Sequence, residues 1–364
     1  MCVICTGDID PRIKTLDCSG CPTVTTIPAL DGLITLRCRD CPALTTISAM
    51  PSLTHLYCYG CPALTTIPMM PGLTHLYCSG CTALTDIAAL PSLSYLECVR
   101  CTALTTIPMI PSLTHLYCRD CPALTDIAVM PCLHDLDCRD CPALTTISAM
   151  PCLHDLHCSG CIVLTTISAM PSLTHLHCQD CPALATLSVM PSLSYLDCSR
   201  CTALTTIAAM PILHELDCPG CTALTAIAAM PLLHYLDCHV CTTLTAISAM
   251  PCLSHLHCQG CTALTTISAM PSLSHLYCHW CTMLTEIPDV PYNVLNCDPL
   301  LRPANQPRLL RLQRWIRANH RYFTFQRWRR SLEGVEWIYH PEHLGGWYTK
   351  LQMARLLTTA LHNR

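Results

Sequence analysis

Pairs of cysteines separated by two residues recur fourteen times at twenty-residue intervals in this 364-residue chain, from Cys18 and Cys21 to Cys278 and Cys281. Such pairs can form redox centres, zinc sites or disulfides. A redox pair needs an exposed thiol of low pKa, and a zinc site needs four ligands at restricted positions, which fourteen equivalent copies do not explain. The pairs fit better as small buried residues of a narrow core, so we expect free thiols and keep thiol-based metal binding as an alternative.

The cysteines belong to a twenty-residue unit that organises most of the chain. Residues 53–72 read LTHLYCYGCPALTTIPMMPG, and the same pattern returns every twenty residues from Ile13 without insertion or deletion. Alternation over residues 54–58 predicts one short strand per unit, with Leu56 and Cys58 on one face and His55 and Tyr57 on the other. The rest of each unit must return to the next strand.

Proline at the end of each unit, as at Pro71, excludes a regular helix in the return, which we expect to be extended or a turn of 3₁₀ helix. No unit can bury its apolar residues alone, so the array is stable only as a stack. The predicted interior of one unit comprises Leu53, Leu56, Cys58, Cys61, Leu64, Ile67 and Met70.

The unit resembles the leucine-rich repeat family over residues 13–297, because Leu53, Leu56, Cys58 and Cys61 occupy the positions of its strand motif. The resemblance implies a mainly β solenoid of parallel short strands. Cysteine replaces the third leucine and the residue that is often asparagine. The Cys-x-x-Leu-Thr run is similar to cysteine-containing repeats, and the return is similar to the short repeats of bacterial effectors at Ile67, Pro68 and Pro71.

Composition divides the chain near residue 300. Residues 1–299 carry 8 Lys and Arg against 21 Asp and Glu, whereas residues 300–364 carry 12 against 3, together with four of the five Trp and both Phe. We therefore predict an N-terminal partial repeat or cap over residues 1–12, a solenoid over residues 13–297 and a basic, aromatic, α-helical segment over residues 298–364.

Comparison of the units separates constant core positions from a variable surface. In a leucine-rich repeat solenoid the variable strand positions line the concave sheet, and a surface rich in Tyr, His and Asp is suited to binding another protein. A merely solvated sheet face is the alternative. The predicted partner-binding residues are His55, Tyr57, Tyr59, His75, Tyr77, Tyr95, Glu97, His115, Tyr117, Asp135, Asp137, Asp155, His157, His175, His177, Tyr195, Asp197, Glu215, Asp217, Tyr235, Asp237, His255, His257, His275 and Tyr277.

Two further hypotheses concern this surface. The histidines would make it more positive below about pH 6.5, so that partner binding would depend on pH. A cluster of carboxylates and imidazoles has the ligand types for a divalent metal, although repetition produces such clusters by chance. Its members are Asp135, Asp137, Asp155, His157, His175 and His177.

The C-terminal segment places Leu309, Leu312, Trp315 and Ile316 at helical spacing with arginines between them. We expect it to cap the array, and we do not expect nucleic-acid binding, although interleaved Arg and aromatic residues could contact phosphates or an anionic membrane surface. The segment resembles short C-terminal segments of repeat proteins of giant DNA viruses through Phe325-x-x-Trp328, Glu336-Trp-Ile-Tyr-His-Pro341 and Gly345-Gly346.

Function is predicted to be non-enzymatic. The sequence has no Gly-rich phosphate loop, and Cys297-Asp298 does not match the Cys-x-Asp arrangement of the ubiquitin-ligase domain that similar bacterial effectors carry. We expect a protein-interaction scaffold without a cofactor, acting on a protein partner that the sequence does not identify, with a host protein as one candidate. The alternative is an adaptor that recruits ubiquitin-type machinery through the C-terminal segment.

The expected location is intracellular, in the host cytoplasm if the protein is viral. The opening MCVICTGDID has no basic stretch followed by an apolar run, and no later run of about 18 apolar residues predicts a transmembrane segment. The many cysteines follow the repeat period, which favours a reducing compartment.

Overall fold

A computed structural model of the chain describes residues 3–7, 10, 12–288, 295–297 and 302–303. The chain divides into two compact units, the first over residues 1–213 and the second from residue 214 onward. Each unit is a parallel β-solenoid of twenty-residue coils. The helical segment predicted over residues 298–364 falls outside the described residues except for Arg302–Pro303, so it stays a prediction.

Every coil contributes one strand to a parallel sheet, and we call these the face strands. In the first unit they are Thr15–Asp17, Thr35–Arg37, His55–Tyr57, His75–Tyr77, Tyr95–Glu97, His115–Tyr117, Asp135–Asp137, Asp155–His157, His175–His177 and Tyr195–Asp197. In the second unit they are Glu215–Asp217, Tyr235–Asp237, His255–His257, His275–Cys278 and Leu295–Cys297.

A second, two-residue strand lies in the return of each coil, which makes the return extended. These return strands are, in the first unit, Thr26–Ile27, Thr46–Ile47, Thr66–Ile67, Asp86–Ile87, Thr106–Ile107, Asp126–Ile127, Thr146–Ile147, Thr166–Ile167, Thr186–Leu187 and Thr206–Ile207. In the second unit they are Ala226–Ile227, Ala246–Ile247, Thr266–Ile267, Glu286–Ile287 and Arg302–Pro303.

The register of the face strands follows directly from the period of the sequence. His55 pairs with His75, Leu56 with Leu76 and Tyr57 with Tyr77. Because no coil has an insertion, each position of the repeat stacks on the same position of the next coil within a unit. The central leucine of each strand is buried and its two neighbours point away from the core, as the alternation predicts.

The interior is the predicted one. The core set of the coil that begins at Leu53 is 0–1% exposed throughout, and its counterparts are buried in the coils on either side. Leucine and isoleucine fill most of the cross-section of the core, while cysteine and methionine fill the remaining narrow spaces. Each buried set therefore gains its packing from the coils above and below it, which is the physical reason that the repeat must be stacked.

A hydrogen bond from the second cysteine of most pairs links consecutive coils within a unit. The Cys61 thiol donates to the Cys38 carbonyl oxygen at 2.9 Å, and Cys121 makes the same contact with the Cys98 carbonyl oxygen at 3.2 Å. Cysteine thus performs the task of the asparagine that it replaces, with a weaker donor. The same bond occurs from Cys41, Cys81, Cys101, Cys141, Cys161, Cys181, Cys201, Cys241, Cys261 and Cys281.

The expectation of free thiols holds for most of the described cysteines and is wrong at Cys278. This residue is disulfide-bonded, whereas core cysteines such as Cys38, Cys61 and Cys121 are free thiols. Cys278 lies at the end of a face strand and pairs in register with Cys297.

The N-terminal residues begin with a short helix, Val3–Thr6, which the prediction of a partial repeat did not anticipate. Its Cys5 sulfur lies 3.5 Å from the Cys21 sulfur, so the helix contacts the first complete coil. No helix in the described residues is long and apolar enough to cross a membrane.

A tight turn follows every face strand, and the residue before the second cysteine adopts a left-handed conformation in each coil. Glycine at Gly60 (φ 69°) and aspartate at Asp40 (φ 52°) suit this conformation. Val240 (φ 60°) does not, because a β-branched side chain crowds the backbone there. Its side chain is 45% exposed, so packing contributes little to offset this strain.

Replacing Val240 with glycine tests this strain. We expect Val240→Gly to raise the free energy of unfolding by roughly 0.5–1 kcal/mol, because relief of the left-handed strain outweighs the entropy that glycine adds to the unfolded chain. Chemical denaturation measures the change. Val189→Gly is the matched control at an exposed valine without positive φ, and it should lower stability by roughly 0.5–1 kcal/mol. An equal loss of unfolding free energy in both variants would contradict the assignment of backbone strain to Val240.

Candidate functional site

The predicted binding residues lie on the outward side of the face strands or, for Tyr59, in the turn that follows, and we call this surface the strand face. Most of their side chains are half-buried by their neighbours, while His175 and Glu215 are exposed. Asp137 differs from the others because it is only 6% exposed. The sheet therefore arranges these residues in columns on a rigid backbone, and each coil contributes one residue to each column.

The largest group is an aromatic stack in the first unit. The Tyr57 and Tyr77 ring centroids are 4.7 Å apart with planes inclined by 5°, and His55 lies over His75 at 4.6 Å. Tyr95 continues the stack at 5.0 Å from Tyr77. Strand spacing sets these distances, which suit offset aromatic packing. The stack comprises His55, Tyr57, His75, Tyr77, Tyr95, His115 and Tyr117.

Two smaller aromatic groups follow, one in each unit. In the first unit His177 lies between His157, at 4.3 Å, and Tyr195, at 4.9 Å. In the second unit the centroids of His255 and His275 are 4.3 Å apart. The rest of that group consists of Tyr235, His257 and Tyr277.

Hydrogen bonds fix the tautomer of the histidines at the start of the face strands. The Thr54 hydroxyl lies 3.1 Å from the Ile34 carbonyl oxygen, to which it can only donate, and 2.8 Å from Nδ1 of His55. The single hydroxyl proton is thereby used, so His55 Nδ1 must carry the proton that the hydroxyl oxygen accepts. Neutral His55 then presents Nε2 as a hydrogen-bond acceptor. The same pair of contacts orients His75, His115, His255 and His275.

Arginine side chains bind the most buried carboxylate of the strand face. Arg139 donates Nε to Asp137 Oδ1 at 2.9 Å and Nη2 to Asp137 Oδ2 at 2.7 Å. Arg119 Nε approaches Asp137 Oδ2 to 3.5 Å but is buried without a hydrogen-bond partner. The bidentate pair satisfies a carboxylate that would otherwise be costly to bury.

The other carboxylates have weaker or neutral partners. Glu97 accepts a hydrogen bond from the Ser79 hydroxyl at 2.8 Å, and Asp155 Oδ1 accepts from His175 Nδ1 at 2.9 Å. The metal cluster hypothesised between Asp135 and His177 is not assembled. In the part of the chain that the structure describes, no three His, Cys, Asp or Glu side chains are grouped to hold a metal ion.

Sequence reasoning missed two arginines of the strand face. The Arg37 guanidinium lies 5.4 Å from the Tyr57 ring centroid, and that of Arg39 lies 5.5 Å from Tyr59 and donates to its hydroxyl at 2.9 Å. Arg37 occupies a face-strand position and Arg39 follows it by two residues, as Tyr59 follows Tyr57. The sequence could have indicated these contacts, because each arginine precedes its tyrosine by one twenty-residue repeat.

Burial favours the protonated form of several core thiols and of tyrosines on the strand face. Burial raises the pKa of Cys61 and of Cys121 to about 12 and that of Cys38 well above 9.0. Burial, together with Glu97 and the neighbouring tyrosines, raises the pKa of Tyr95 to about 12. Core thiols such as Cys61 and Cys121 are therefore poor nucleophiles, and the strand face presents neutral phenols. A hydrogen bond from a neighbouring thiol instead lowers the pKa of Cys81, Cys161 and Cys281.

Comparison with known proteins gives a fold likeness only. No protein-family model matches the chain, and no curated protein matches it. Among solved structures, a leucine-rich repeat protein from Bacteroides ovatus is similar with a TM-score of 0.43 at 16% identity, over 75% of this chain and 78% of that one.

Two further solved structures have the same kind of repeat. A leucine-rich cell surface protein from Faecalibacterium prausnitzii gives a TM-score of 0.35 at 19% identity, over 65% of this chain and 79% of that one. YopM from Yersinia enterocolitica gives a TM-score of 0.24 at 19% identity, over 80% of this chain and 88% of that one. The neighbours are leucine-rich repeat proteins, and this chain is a solenoid with repeats of about twenty residues.

The burial of the thiols predicts their order of reaction. Cys132 is exposed and Cys152 is half-buried, whereas Cys58 and Cys61 are fully buried. With iodoacetamide at about pH 8, we expect Cys132 to be labelled first and the core cysteines only after denaturation, because the thiolate is the reactive form. Peptide mapping by mass spectrometry gives the order. Labelling of Cys61 as fast as Cys132 in the folded protein would contradict this account.

The histidine stacks predict a dependence of stability on pH. Burial, and then the neighbouring histidine, lowers the pKa of His75 and of His255 below 6.5. The unfolded chain therefore binds more protons near pH 6, so stability is greatest above pH 6.5 and falls as the pH drops below it. Denaturation at about pH 7.5 and 5.5 should show this loss, and it should be smaller in the double variant His75→Gln, His255→Gln. Equal losses in both proteins would refute the assignment.

Proposed function

We propose that this protein is a non-enzymatic scaffold that binds a protein partner on the strand face. The observation that carries the proposal is the contrast between a core that repeats in every coil and a surface where Tyr, His and acidic residues vary from coil to coil. Variation at outward positions of a constant scaffold is expected of a recognition surface. We further propose that this face is concave, as in leucine-rich repeat solenoids.

The rigidity of the strand face supports binding. Tyr57 and Tyr77 are held by stacking, and His55 and His75 by hydrogen bonds from Nδ1 to neighbouring hydroxyls. Side chains that are already ordered lose little conformational entropy when a partner binds. Tyrosine adds a large contact area and a hydroxyl that can donate or accept a hydrogen bond.

The chemistry of the thiols supports a non-enzymatic role. A catalytic cysteine needs an accessible thiolate, and the raised pKa of Cys61 and Cys121 favours the protonated thiol within a closed core. The thiol-metal alternative has no candidate group among the described residues. These sulfur atoms instead donate hydrogen bonds between coils, which is a structural task.

The adaptor alternative and the cellular location are also proposals. An adaptor would recruit ubiquitin-type machinery through residues 298–364, and deletion of that segment should then abolish capture of one common partner while others persist. The buried free thiols support an intracellular, reducing location. A host protein as partner rests on the resemblance of the C-terminal segment to giant-virus repeat proteins.

Affinity capture with matched surface variants tests the scaffold proposal. The strand-face variant carries Tyr57→Ala, Tyr77→Ala and Tyr117→Ala, and we expect it to lose captured partners at least tenfold, since buried aromatic residues dominate binding energy. The control carries Thr66→Ala, Thr106→Ala and Thr146→Ala at exposed positions of the return strands. Quantitative mass spectrometry of both eluates, with wild type as reference, measures the loss.

Two outcomes decide the proposal once both variants are shown to unfold like the wild type. Loss from the strand-face variant alone supports it. Retention of all partners by the strand-face variant, or their loss from the return-strand control, would place the binding surface elsewhere.

A further inference from the structure

We propose that the middle of the strand face in the first unit binds an arginine-rich segment of the partner protein. The site is formed by two tyrosine rings on adjacent strands, Tyr95 and Tyr117, flanked by the carboxylates of Glu97, Asp135 and Asp155. This inference rests on the proposed function, because it names the chemistry of the partner that the same face would recognise.

The strand face already holds guanidinium groups of its own chain on tyrosine rings. Arg37 lies over Tyr57 and Arg39 over Tyr59, each within 6 Å of the ring centroid, the range of a cation–π interaction. Arg39 also donates to the Tyr59 hydroxyl. The first coils therefore show how a stacked tyrosine on this surface accommodates an arginine.

The same face also binds a guanidinium through a carboxylate. Arg139 contacts both oxygens of Asp137, which pairs in register with Tyr117. Planar, bidentate contact of this kind is available to arginine and not to lysine. Stacking on a ring and pairing with a carboxylate thus both occur within the first unit, with arginines that the chain itself supplies.

In the middle of the face these two elements lie together without an arginine over the rings. The Tyr95 and Tyr117 centroids are 5.5 Å apart, and Tyr117 lies between Glu97 and Asp137 on the adjacent strands. Burial, then Asp135, Asp137 and Glu97, raises the pKa of Tyr117, which shows how closely the negative charges surround the ring. Among the described residues, arginine lies over the rings of Tyr57 and Tyr59 only.

The balance of charge at this position is negative. Arg119 and Arg139 are directed to Asp137, and Arg100 pairs with Asp120 in the adjoining turns. Glu97 and Asp155 have a serine and a histidine as partners, and these do not cancel a full charge while the histidine is neutral. A cationic side chain from a partner would therefore meet carboxylates that no arginine among the described residues pairs with.

The histidine beside the tyrosines adds an acceptor. The Thr114 hydroxyl donates to the Ser94 carbonyl oxygen at 2.8 Å and accepts from His115 Nδ1 at 2.9 Å. Neutral His115 thus presents an unprotonated Nε2 next to Tyr95. Carboxylates, an imidazole nitrogen and two ring faces all favour a donor-rich cation, and guanidinium carries five N–H donors on a plane that stacks.

Fluorescence anisotropy with the full-length protein tests the inference. The probe is a labelled peptide of alternating arginine and glycine, compared with the same peptide in which citrulline replaces arginine. Citrulline keeps the planar shape and loses the charge. We expect the citrulline peptide to bind at least about tenfold more weakly, and a lysine peptide roughly two- to fivefold more weakly than the arginine peptide.

Paired variants locate the site. Glu97→Gln with Asp155→Asn should weaken binding of the arginine peptide at least fivefold, while Asp86→Asn with Asp126→Asn, the same charge change on the return strands, should leave it unchanged. Tyr117→Leu should weaken binding roughly two- to fivefold and Tyr117→Phe should preserve it, because the ring and not the hydroxyl attracts the cation. Unfolding curves confirm that each variant is folded.

Three results would overturn the inference: equal binding of the arginine and citrulline peptides, equal weakening by the two acidic pairs, or unchanged binding by Tyr117→Leu. The test is separate from that of the proposed function. If the arginine peptide fails to bind but partner capture still depends on the strand-face tyrosines, the face is a binding surface for a partner of different chemistry. If capture is also independent of those tyrosines, the proposed function fails as well.

Discussion

The in-register pairing of each coil with the next is the constraint on which the rest of this structure depends. His55 pairs with His75 and Leu56 with Leu76, so each residue of a unit lies beside its own copy. An apolar position thereby becomes a continuous row of buried side chains, and an outward position becomes a column. The Cys61 thiol reinforces this register by donating to the Cys38 carbonyl oxygen of the coil before.

The same register gives the strand face its chemistry. Identical aromatic residues on adjacent strands must stack, as Tyr57 does on Tyr77. A hydroxyl that donates to a carbonyl of the previous coil can only accept from its histidine, which leaves Nε2 outward. Where the sequence changes from Tyr to Glu or Asp, rings and carboxylates meet on adjacent strands, as at Tyr117. Backbone pairing thus converts substitutions between repeats into a pattern of stacking, charge and hydrogen-bond acceptors.

Much of the fold could be predicted from the sequence. Apolar residues alternate with polar ones within each strand, and the strand recurs every twenty residues, so few backbone arrangements fit both patterns. The strand at residues 55–57, the interior from Leu53 to Met70 and an extended return are confirmed. The last face strand, Leu295–Cys297, ends at the boundary predicted for the solenoid. The short helix at Val3–Thr6 could not be predicted, because four residues contain no periodic pattern.

The details of the site were less accessible to sequence reasoning. The bidentate contact of Arg139 with Asp137 depends on how a turn directs one side chain back over the sheet, and the proton on His55 Nδ1 depends on the distance between coils. The repeat pattern predicts which positions face outward but not these orientations. Only the structure shows that Arg119 and Arg139 approach one buried carboxylate.

The central claim is that the repeated cysteines are structural donors between coils and that recognition belongs to the strand face. Raman spectroscopy of the S–H stretch tests it most directly. We predict a dominant band of hydrogen-bonded thiols in the folded protein that persists above pH 9.0, the ordinary thiol pKa, because burial raises the pKa of core thiols such as Cys61 to about 12. The band should also persist when zinc is added. Its disappearance near pH 9 or on addition of zinc, with the fold intact, would contradict the account.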